Sequence, residues 1–258
     1  MVEGTCSLFG SGKSLMSTLR ADVFTCDQID SNMQRSMYAL FARYYDAVDF
    51  ETFAEDLSEK DYVVLLREQD EAGEIRGFST VSVLDFSFQQ TQGRAIFSGD
   101  TIIDRDFWGE QTLPWVWCRL AGFIKSQAPE VPLYWMLIVK GHRTYRLMTL
   151  FSKEHYPTWK ASTPDNTQAL MNFLGALKFG ESYDTRTGLI RFQKSRGQLK
   201  PEVGDVREGY REKPDVKFFC EKNPNYLQGD ELLCLTELKT ENMRATARRG
   251  FLEPISLQ

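Results

Sequence analysis

The chain from residue 27 to residue 160 combines the hydrophobic periods of helices and of strands. Apolar positions at every third or fourth residue predict helices over 27–48 and 49–60. Asp27 or Asp30 is placed to cap the first helix, and Asp49 is placed to cap the second. Both helices precede the segments with strand patterns.

Runs rich in β-branched and aromatic residues predict three strands, over 61–68, 75–88 and 94–103. The first two are separated by a short turn and should form a hairpin. A lone glycine, Gly109, then separates the third strand from an amphipathic helix. Pro114 suits the first turn of that helix, where its missing N–H has no partner to lose.

The next segment, 132–140, is nearly all apolar, which predicts a strand buried on both faces, and a helix follows over 142–154. This order predicts an α/β fold with a mixed central sheet flanked by helices. Because a helix connects them, the strands 94–103 and 132–140 should be parallel.

The last third of the chain predicts shorter elements. They are a glycine-ended helix over 166–180, strands over 188–193 and 216–221, a strand or short helix over 230–238, and a basic helix over 240–251. We expect three parts, in chain order: an N-terminal arm (1–26), a core (27–165) and a C-terminal extension packed on the core (166–258).

Composition narrows the classes of partner. The net charge of −5 argues against a broad nucleic-acid surface, and the two histidines argue against a histidine-rich metal site, so we expect neither nucleic acid nor metal. Five cysteines without a C-x-x-C pair indicate a reducing compartment. No apolar run reaches the roughly 18 residues of a membrane span. We therefore expect a cytoplasmic protein without a membrane span.

One short segment suggests a phosphate site. Phe9–Ser14, FGSGKS, ends like a P-loop, but Ser7 stands where the pattern needs a glycine, and no apolar strand precedes it. We interpret the segment as a glycine-rich leader rather than a nucleotide site.

The strand, glycine turn and helix at Ser98–Trp115 resemble the acetyl-CoA-binding core of the GCN5-related N-acetyltransferase (GNAT) superfamily. In that family the corresponding loop holds the coenzyme A pyrophosphate on backbone N–H groups at a helix start. The matching segment is DRDFWGEQTL, with Gly109 at the central glycine. The resemblance covers about half of the chain, roughly 27–160. It implies these coenzyme-binding residues: Ile103, Arg105, Gly109, Gln111, Thr112 and Arg143.

The segment after the buried strand departs from the family pattern. Phe151 takes the place of the tyrosine that often protonates the leaving thiolate, and His155 takes the place of a glycine. The fold is expected to survive both changes. His142 or Tyr145 would then have to supply the missing acid, although helix-start hydrogen bonds and coenzyme contacts are alternatives for this segment.

Acyl transfer to an amine also needs a base. Side-chain alternation predicts that Ser98, Asp100, Ile102 and Asp104 share one face of their strand. An acid among apolar neighbours is costly to bury without a purpose or a partner. Asp100 is therefore the candidate base, and an ion pair with a nearby arginine is the structural alternative.

The resemblance implies an acyltransferase that moves an acyl group to a small-molecule amine. Its donor would be acetyl-CoA, a longer acyl-CoA or an acyl carrier protein. A GNAT-fold binding or interaction module without catalytic activity remains the alternative. The C-terminal extension would complete the sheet, cover the acceptor side or form a homodimer contact.

Overall fold

The computed structural model describes residues 19–70, 73–206 and 208–256, which contain ten strands and nine α-helices. The strands are β1 (Leu19–Thr25), β2 (Tyr45–Asp46), β3 (Tyr62–Glu68), β4 (Ile75–Phe88), β5 (Thr91–Ile103), β6 (Leu133–Val139), β7 (Tyr183–Asp184), β8 (Leu189–Ile190), β9 (Gln198–Leu199) and β10 (Glu231–Glu237). The helices are α1 (Ser31–Phe41), α2 (Phe50–Ser58), α3 (Thr112–Ser126), α4 (His142–Phe151), α5 (Asp165–Phe179), α6 (Pro201–Gly204), α7 (Glu208–Arg211), α8 (Pro214–Lys222) and α9 (Ala245–Leu252). The P-loop-like segment Phe9–Ser14 lies outside the described residues.

One mixed sheet contains eight of these strands, in the order β1-β3-β4-β5-β6-β10-β8-β7. Its neighbouring strands are antiparallel except β5 and β6, which are parallel and connected through α3. The predicted mixed sheet with flanking helices is therefore confirmed, and so is the predicted parallel pair. Strands β2 and β9 form a separate ladder.

Helices cover both faces of the sheet. Along β3, alternate side chains pack against the helices of one face and of the other. Val64 and Leu66 belong to the core cluster that includes α3, α4, α8 and α9. Val63 and Leu65 belong to the cluster that includes α1 and α2. All four side chains are fully buried, and each such burial contributes about 1.5–3 kcal/mol relative to exposure. We call the two sides the α3 face and the α2 face.

Helix boundaries follow the predicted caps. The carboxylate of Asp30 accepts the N–H of Met33 at 2.8 Å, and that of Asp49 accepts the N–H of Thr52 at 2.8 Å. Helix α5 ends at Gly180, whose φ of 53° lies in the region that glycine tolerates. Caps and hydrophobic period together therefore fix α1, α2 and α5 locally.

Two segments differ from their predicted structure. Residues 19–25 fall within the predicted arm but form β1, an edge strand paired with β3. The predicted strand over 216–221 is wrong, because these residues belong to α8. Pro214 favours the first turn of that helix, and Val216 and Phe219, three residues apart, bury one helical face. Within the predicted extension, β10 pairs directly with β6 and continues the same sheet.

Candidate functional site

The parallel strands β5 and β6 separate before they end, and a cavity opens between them. Their ladder runs from the pair Arg94–Leu133 to the pair Ser98–Leu137, while β5 continues to Ile103. The cavity has a volume of about 320 Å³ and is lined by both strand ends and by α2, α3 and α5. This size is at the low end of the range for small-molecule sites.

A β-bulge in β5 lies at the edge of this cavity. Two residues of β5, Gly99 and Asp100, stand opposite the single residue Thr80 of β4. A Cβ at position 99 would lie 2.5 Å from Oγ1 of Thr80 and 2.9 Å from Cε of Lys60. A side chain at position 99 would therefore have to displace Thr80 or Lys60, and the extra residue of the bulge changes the direction in which Asp100 points.

The bulge overturns the prediction that Ser98, Asp100, Ile102 and Asp104 share one face. Ser98 lies on the α3 face, where its hydroxyl accepts the indole N–H of Trp135 at 2.9 Å. Beyond the bulge, Ile102 packs with α1 and α2 on the opposite face. One strand thus presents Ser98 to one layer of helices and Ile102 to the other.

Asp100 lines the cavity and is half-buried. Burial raises the pKa of its carboxyl to about 7; the carboxylates of Asp56 and Glu231 add to this shift, and Lys140 and Lys60 oppose it. A carboxyl that titrates near neutrality can both take up and release a proton at physiological pH.

Two buried ion pairs flank Asp100. The ammonium of Lys60 lies 2.8 Å from the carboxylate of Asp56, and that of Lys140 lies 3.3 Å from the carboxylate of Glu231. The side chains of Lys60, Lys140 and Glu231 are 1%, 9% and 7% exposed. Charges this deeply buried are tolerated only when they are paired and hydrogen-bonded.

Tyr45 of β2 lines the same cavity. Burial raises the pKa of its phenol, and the charges of Asp100 and Glu231 raise it further, so the hydroxyl stays protonated. The ammonium of Lys140 lies 5.3 Å from the ring centroid. The cavity therefore contains a neutral hydroxyl donor close to Asp100.

Aromatic side chains line the cavity on the α3 face. Trp117 and Trp135 lie with their ring centroids 4.5 Å apart, and Phe151 lies 5.2 Å from Trp135. The residue at the position of the family tyrosine thus reaches the cavity but brings no hydroxyl group. This wall is apolar apart from the Trp135–Ser98 hydrogen bond.

The loop before α3 is closed by its own side chains. The carboxylate of Glu110 accepts the N–H of Thr112 at 3.2 Å and the hydroxyl of Thr112 at 2.8 Å. The side-chain amide of Gln111 donates to the carbonyl of Gly109 at 2.7 Å. Pro114 has no N–H to offer. Glu110 therefore takes the place at the helix start that favours an anion.

The predicted coenzyme residues surround this loop, and Ile103 alone of them lines the cavity among the described residues. The guanidinium groups of Arg105 and Arg143 lie 5.5 Å and 5.0 Å from the ring of Trp108. Arg143 also donates to the carbonyl of Val203. Both arginines are therefore engaged within the chain.

The two candidate acids, His142 and Tyr145, lie in α4 away from the cavity. Thr144 and Leu147 of the same helix line it. Tyr145 is fully buried, and its hydroxyl donates to the carbonyl of Pro157 at 3.0 Å. Burial lowers the pKa of His142 to about 4, so the buried imidazole is neutral. The fold thus brings Asp100 and Ile103 to the cavity and leaves both candidate acids outside its lining.

Sequence reasoning missed four residues that line the cavity and one that pairs with its lining. Tyr45, Asp56, Lys178 and Glu231 line it, and Lys60 forms an ion pair with Asp56. They come from segments that are distant in sequence, and the paired ones look like ordinary surface charges in a helix or at a strand end. One signal was available, because Glu231 starts the most continuously apolar strand of the C-terminal third.

The described ranges contain no group of three or more His, Cys, Asp or Glu side chains that could hold a metal ion. In the same part of the chain, no helix has the length and apolar character that crossing a membrane requires.

No protein-family model and no curated protein sequence matches the chain. Similar solved structures include the GNAT family N-acetyltransferase YhbS of Escherichia coli in complex with CoA, 13% identical at a TM-score of 0.36 over 52% of this chain and 69% of that chain. An acetyltransferase of Trypanosoma brucei is 13% identical at a TM-score of 0.35, over 50% and 90% of the two chains. An aminoglycoside acetyltransferase from an uncultured soil metagenomic sample, in complex with sisomicin, is 14% identical at 0.36, over 51% and 84%.

These overlaps are limited to about half of the chain, so the fold assignment rests on the chain's own topology. Three features of the main sheet carry this assignment. They are the antiparallel order β1-β3-β4-β5, the parallel unit β5–α3–β6 and the separation of β5 from β6. The chain therefore has a GNAT-like fold.

Proposed function

We propose that this protein transfers an acyl group from a thioester to an amine, with Asp100 as the general base. The observation that carries the proposal is the half-buried carboxyl of Asp100, with a pKa of about 7, at the point where β5 and β6 separate. A base whose pKa is near the working pH is suited to remove a proton from an attacking amine.

The proposed reaction is a direct attack. The amine nitrogen forms a bond to the thioester carbonyl carbon, and the carbon–sulfur bond then breaks. Asp100 takes the proton of the amine, directly or through a water molecule. Tyr45, which stays protonated in the same cavity, is the hydrogen-bond donor that we assign to the oxyanion.

The proposal assigns no protein acid to the departing thiolate. His142 and Tyr145 were expected from the sequence to replace the missing tyrosine, yet both lie outside the cavity lining. Phe151 lines the cavity but cannot donate a proton. A thiolate is a stable leaving group, so the proposal does not require a strong acid at this point.

The proposed donor is acetyl-CoA, a longer acyl-CoA or an acyl carrier protein. The aromatic wall of Trp117, Trp135 and Phe151 supports an apolar acyl group. A pyrophosphate would be held by the loop around Gly109, with Ile103, Arg105, Gln111, Thr112 and Arg143 as the remaining contacts. That placement requires the carboxylate of Glu110 to leave Thr112.

A second candidate function is a GNAT-fold module that binds a partner without catalysis. The hydrogen bonds between Glu110 and Thr112 favour it, because they close the helix start to an anion. The absence of a hydroxyl group at Phe151 is in line with the same candidate.

Thermal unfolding with a series of donors tests both candidates. A ligand that binds only the native state stabilises it by about 2.7 kcal/mol at a concentration 100 times its Kd. We expect stabilisation by at least one of CoA, acetyl-CoA, a long-chain acyl-CoA and an acyl carrier protein, followed by acyl transfer to an amine. No stabilisation and no product with any of them would contradict the enzyme and support the binding module.

A further inference from the structure

Two half-buried charged side chains in the lining of the cavity lack a partner. Within the described part of the chain, Asp100 and Lys178 have neither a hydrogen bond nor an ion pair with another residue. A partly buried charge without a partner is costly, since burial removes water that would otherwise solvate it. Such groups are candidates for contact with a charged ligand.

The other buried ammonium groups of the site already have their partners. Lys60 donates to the backbone carbonyl of Asp56 at 2.7 Å and pairs with its carboxylate. Lys140 pairs with Glu231 and donates to the carbonyls of Arg196 and Gly197 at 2.8 Å and 3.1 Å. An ammonium group has three donors, so Lys140 has none left for a ligand.

Lys178 lies over an aromatic wall. Its Nζ is 4.5 Å from the ring centroid of Phe97. Phe179 packs edge-on against Phe97 at 5.7 Å and against Phe192 at 6.1 Å. These three rings line the cavity together with Lys178 and Asp100. The cavity thus brings together the carboxyl of Asp100, the ammonium group of Lys178 and an apolar surface.

We infer that this side of the cavity binds a small apolar amino acid, which is the acyl acceptor if the proposed function holds. The ammonium group of the ligand pairs with Asp100, its carboxylate pairs with Lys178, and its side chain packs on Phe97, Phe179 and Phe192. An amine without a carboxylate would leave Lys178 unpaired. A polyamine would bring further positive charge beside Lys178, which is disfavoured.

The acylation of this ligand is balanced without any further reactant. The amino nitrogen forms an amide bond to the acyl carbon, and the carbon–sulfur bond of the thioester breaks. The amine proton passes to Asp100 and then to solvent, and the departing thiolate takes up a proton from solvent. The products are an N-acyl amino acid and the free thiol, with no oxidation or reduction.

The test uses the full chain and three matched amines: phenylalanine, phenylalaninamide and phenethylamine. They share the ring and the amine, and phenylalanine alone has a carboxylate. Thermal unfolding with each amine and no donor measures binding. The kcat/KM for each amine, with the thioester that stabilises the chain most, measures transfer. We expect phenylalanine to exceed the other two by about tenfold in kcat/KM.

Variants of Lys178 test whether the preference for phenylalanine depends on this side chain. Lys178→Met should abolish the preference for phenylalanine, because kcat/KM falls for phenylalanine and does not fall by the same factor for phenethylamine, while Lys178→Arg should keep most of the preference. Lys217→Met, an exposed position in α8, is the matched control. Should Lys178→Met fail to fold, the three amines with the unaltered chain and with Lys178→Arg still decide the question.

The outcomes separate this inference from the proposed function. Equal use of the three amines, an equal loss for all three in Lys178→Met, or a preference for spermidine over phenylalanine would overturn the amino-acid site. Stabilisation by phenylalanine that depends on Lys178, without transfer from any donor, would support the site and contradict the acyltransferase.

Discussion

The charged groups on the two sides of the cavity differ in whether other groups of the chain pair with them. On the side of α2 and α5, Asp100 and Lys178 have neither a hydrogen bond nor an ion pair among the described residues, and Lys178 only lies over the ring of Phe97. At the start of α3, Glu110 and Arg143 are hydrogen-bonded to other groups of the chain. Unpaired charge in a cavity indicates a ligand that the chain does not supply, whereas satisfied charge indicates a closed surface.

This difference predicts different costs of binding on the two sides. A ligand of Asp100 meets a carboxyl that already lies in the cavity. An anion at the start of α3 must first displace the carboxylate of Glu110 from Thr112. The proposed acceptor side is therefore better pre-organised than the proposed donor loop, and pre-organisation reduces the free energy lost on binding.

The largest expected effect is on the acceptor side. Asp100→Asn removes the proposed base and should lower kcat by about 10²–10⁴-fold, which is the usual contribution of general base catalysis. Steady-state kinetics measures the change, with Glu55→Gln, exposed on α2, as the control. A rate unaltered by Asp100→Asn would remove Asp100 from the reaction.

The same residue predicts a pH dependence. The pKa of Asp100 is about 7 in the folded chain and 3.8 in an unperturbed carboxyl, so the folded state binds more protons between these values. The contribution of Asp100 to stability therefore falls as pH rises from about 4 to about 7, and Asp100→Asn does not share this loss. Melting temperatures should favour the variant more at pH 8 than at pH 4.5. A constant difference would contradict the raised pKa. The kcat/KM of the unaltered chain should rise through about pH 7.

The bulge offers the next effect. In Gly99→Ala the new Cβ would lie 2.5 Å from Thr80 and 2.9 Å from Lys60, so we expect a loss of about 1–3 kcal/mol in the free energy of unfolding. Urea denaturation measures it. Gly209→Ala is the matched control, since no atom lies within 4 Å of its Cβ position. Equal stability of both variants would show that the bulge tolerates a side chain.

On the donor side, Glu110→Gln should tighten the binding of CoA by about two- to fivefold, because it removes a negative charge from the helix start. Calorimetric titration measures this, and pantetheine, which lacks the pyrophosphate, should bind both proteins equally. Asp106→Asn, an exposed acid of the same loop, controls for the change in net charge. Unchanged affinity for CoA would mean that its phosphates do not use this helix start.

The smallest effect concerns a group outside the cavity. Tyr145→Phe removes the hydrogen bond to Pro157 and should cost about 1 kcal/mol of stability with no change in kcat. Denaturation and kinetics on the same sample check both statements. A tenfold loss of rate with unaltered stability would instead give Tyr145 the role of the acid.

Local patterns in the sequence were enough to predict most of the core. The caps Asp30 and Asp49, the apolar run of β6 and the helical period of α3 each determine structure within a few residues. Helix α8 was misassigned because its aromatic residues are typical of strands, although Pro214 favours a helix start.

The candidate site was less accessible to prediction because it depends on register and on distant segments. Asp100 was identified from its cost of burial, but the face it occupies depends on how β5 pairs with β4. Glu110 was one acidic residue in a loop, and only the folded turn shows that it accepts from Thr112. Lys178 lies 78 positions after Asp100, and no periodic pattern relates two residues so far apart.

The bulge at Gly99 also has a consequence for how this strand can change during evolution. Up to Ser98 the even-numbered residues of β5 face α3, and from Asp100 onward the even-numbered residues face α2. Substitutions change the side chain at a position but leave this parity unaltered. Deletion of Gly99 would remove the extra residue and restore simple alternation, in which Ser98 and Asp100 still face opposite sides of the sheet. A one-residue deletion at this point is therefore a genetic event that regularises the strand and leaves the carboxylate on the side of α2.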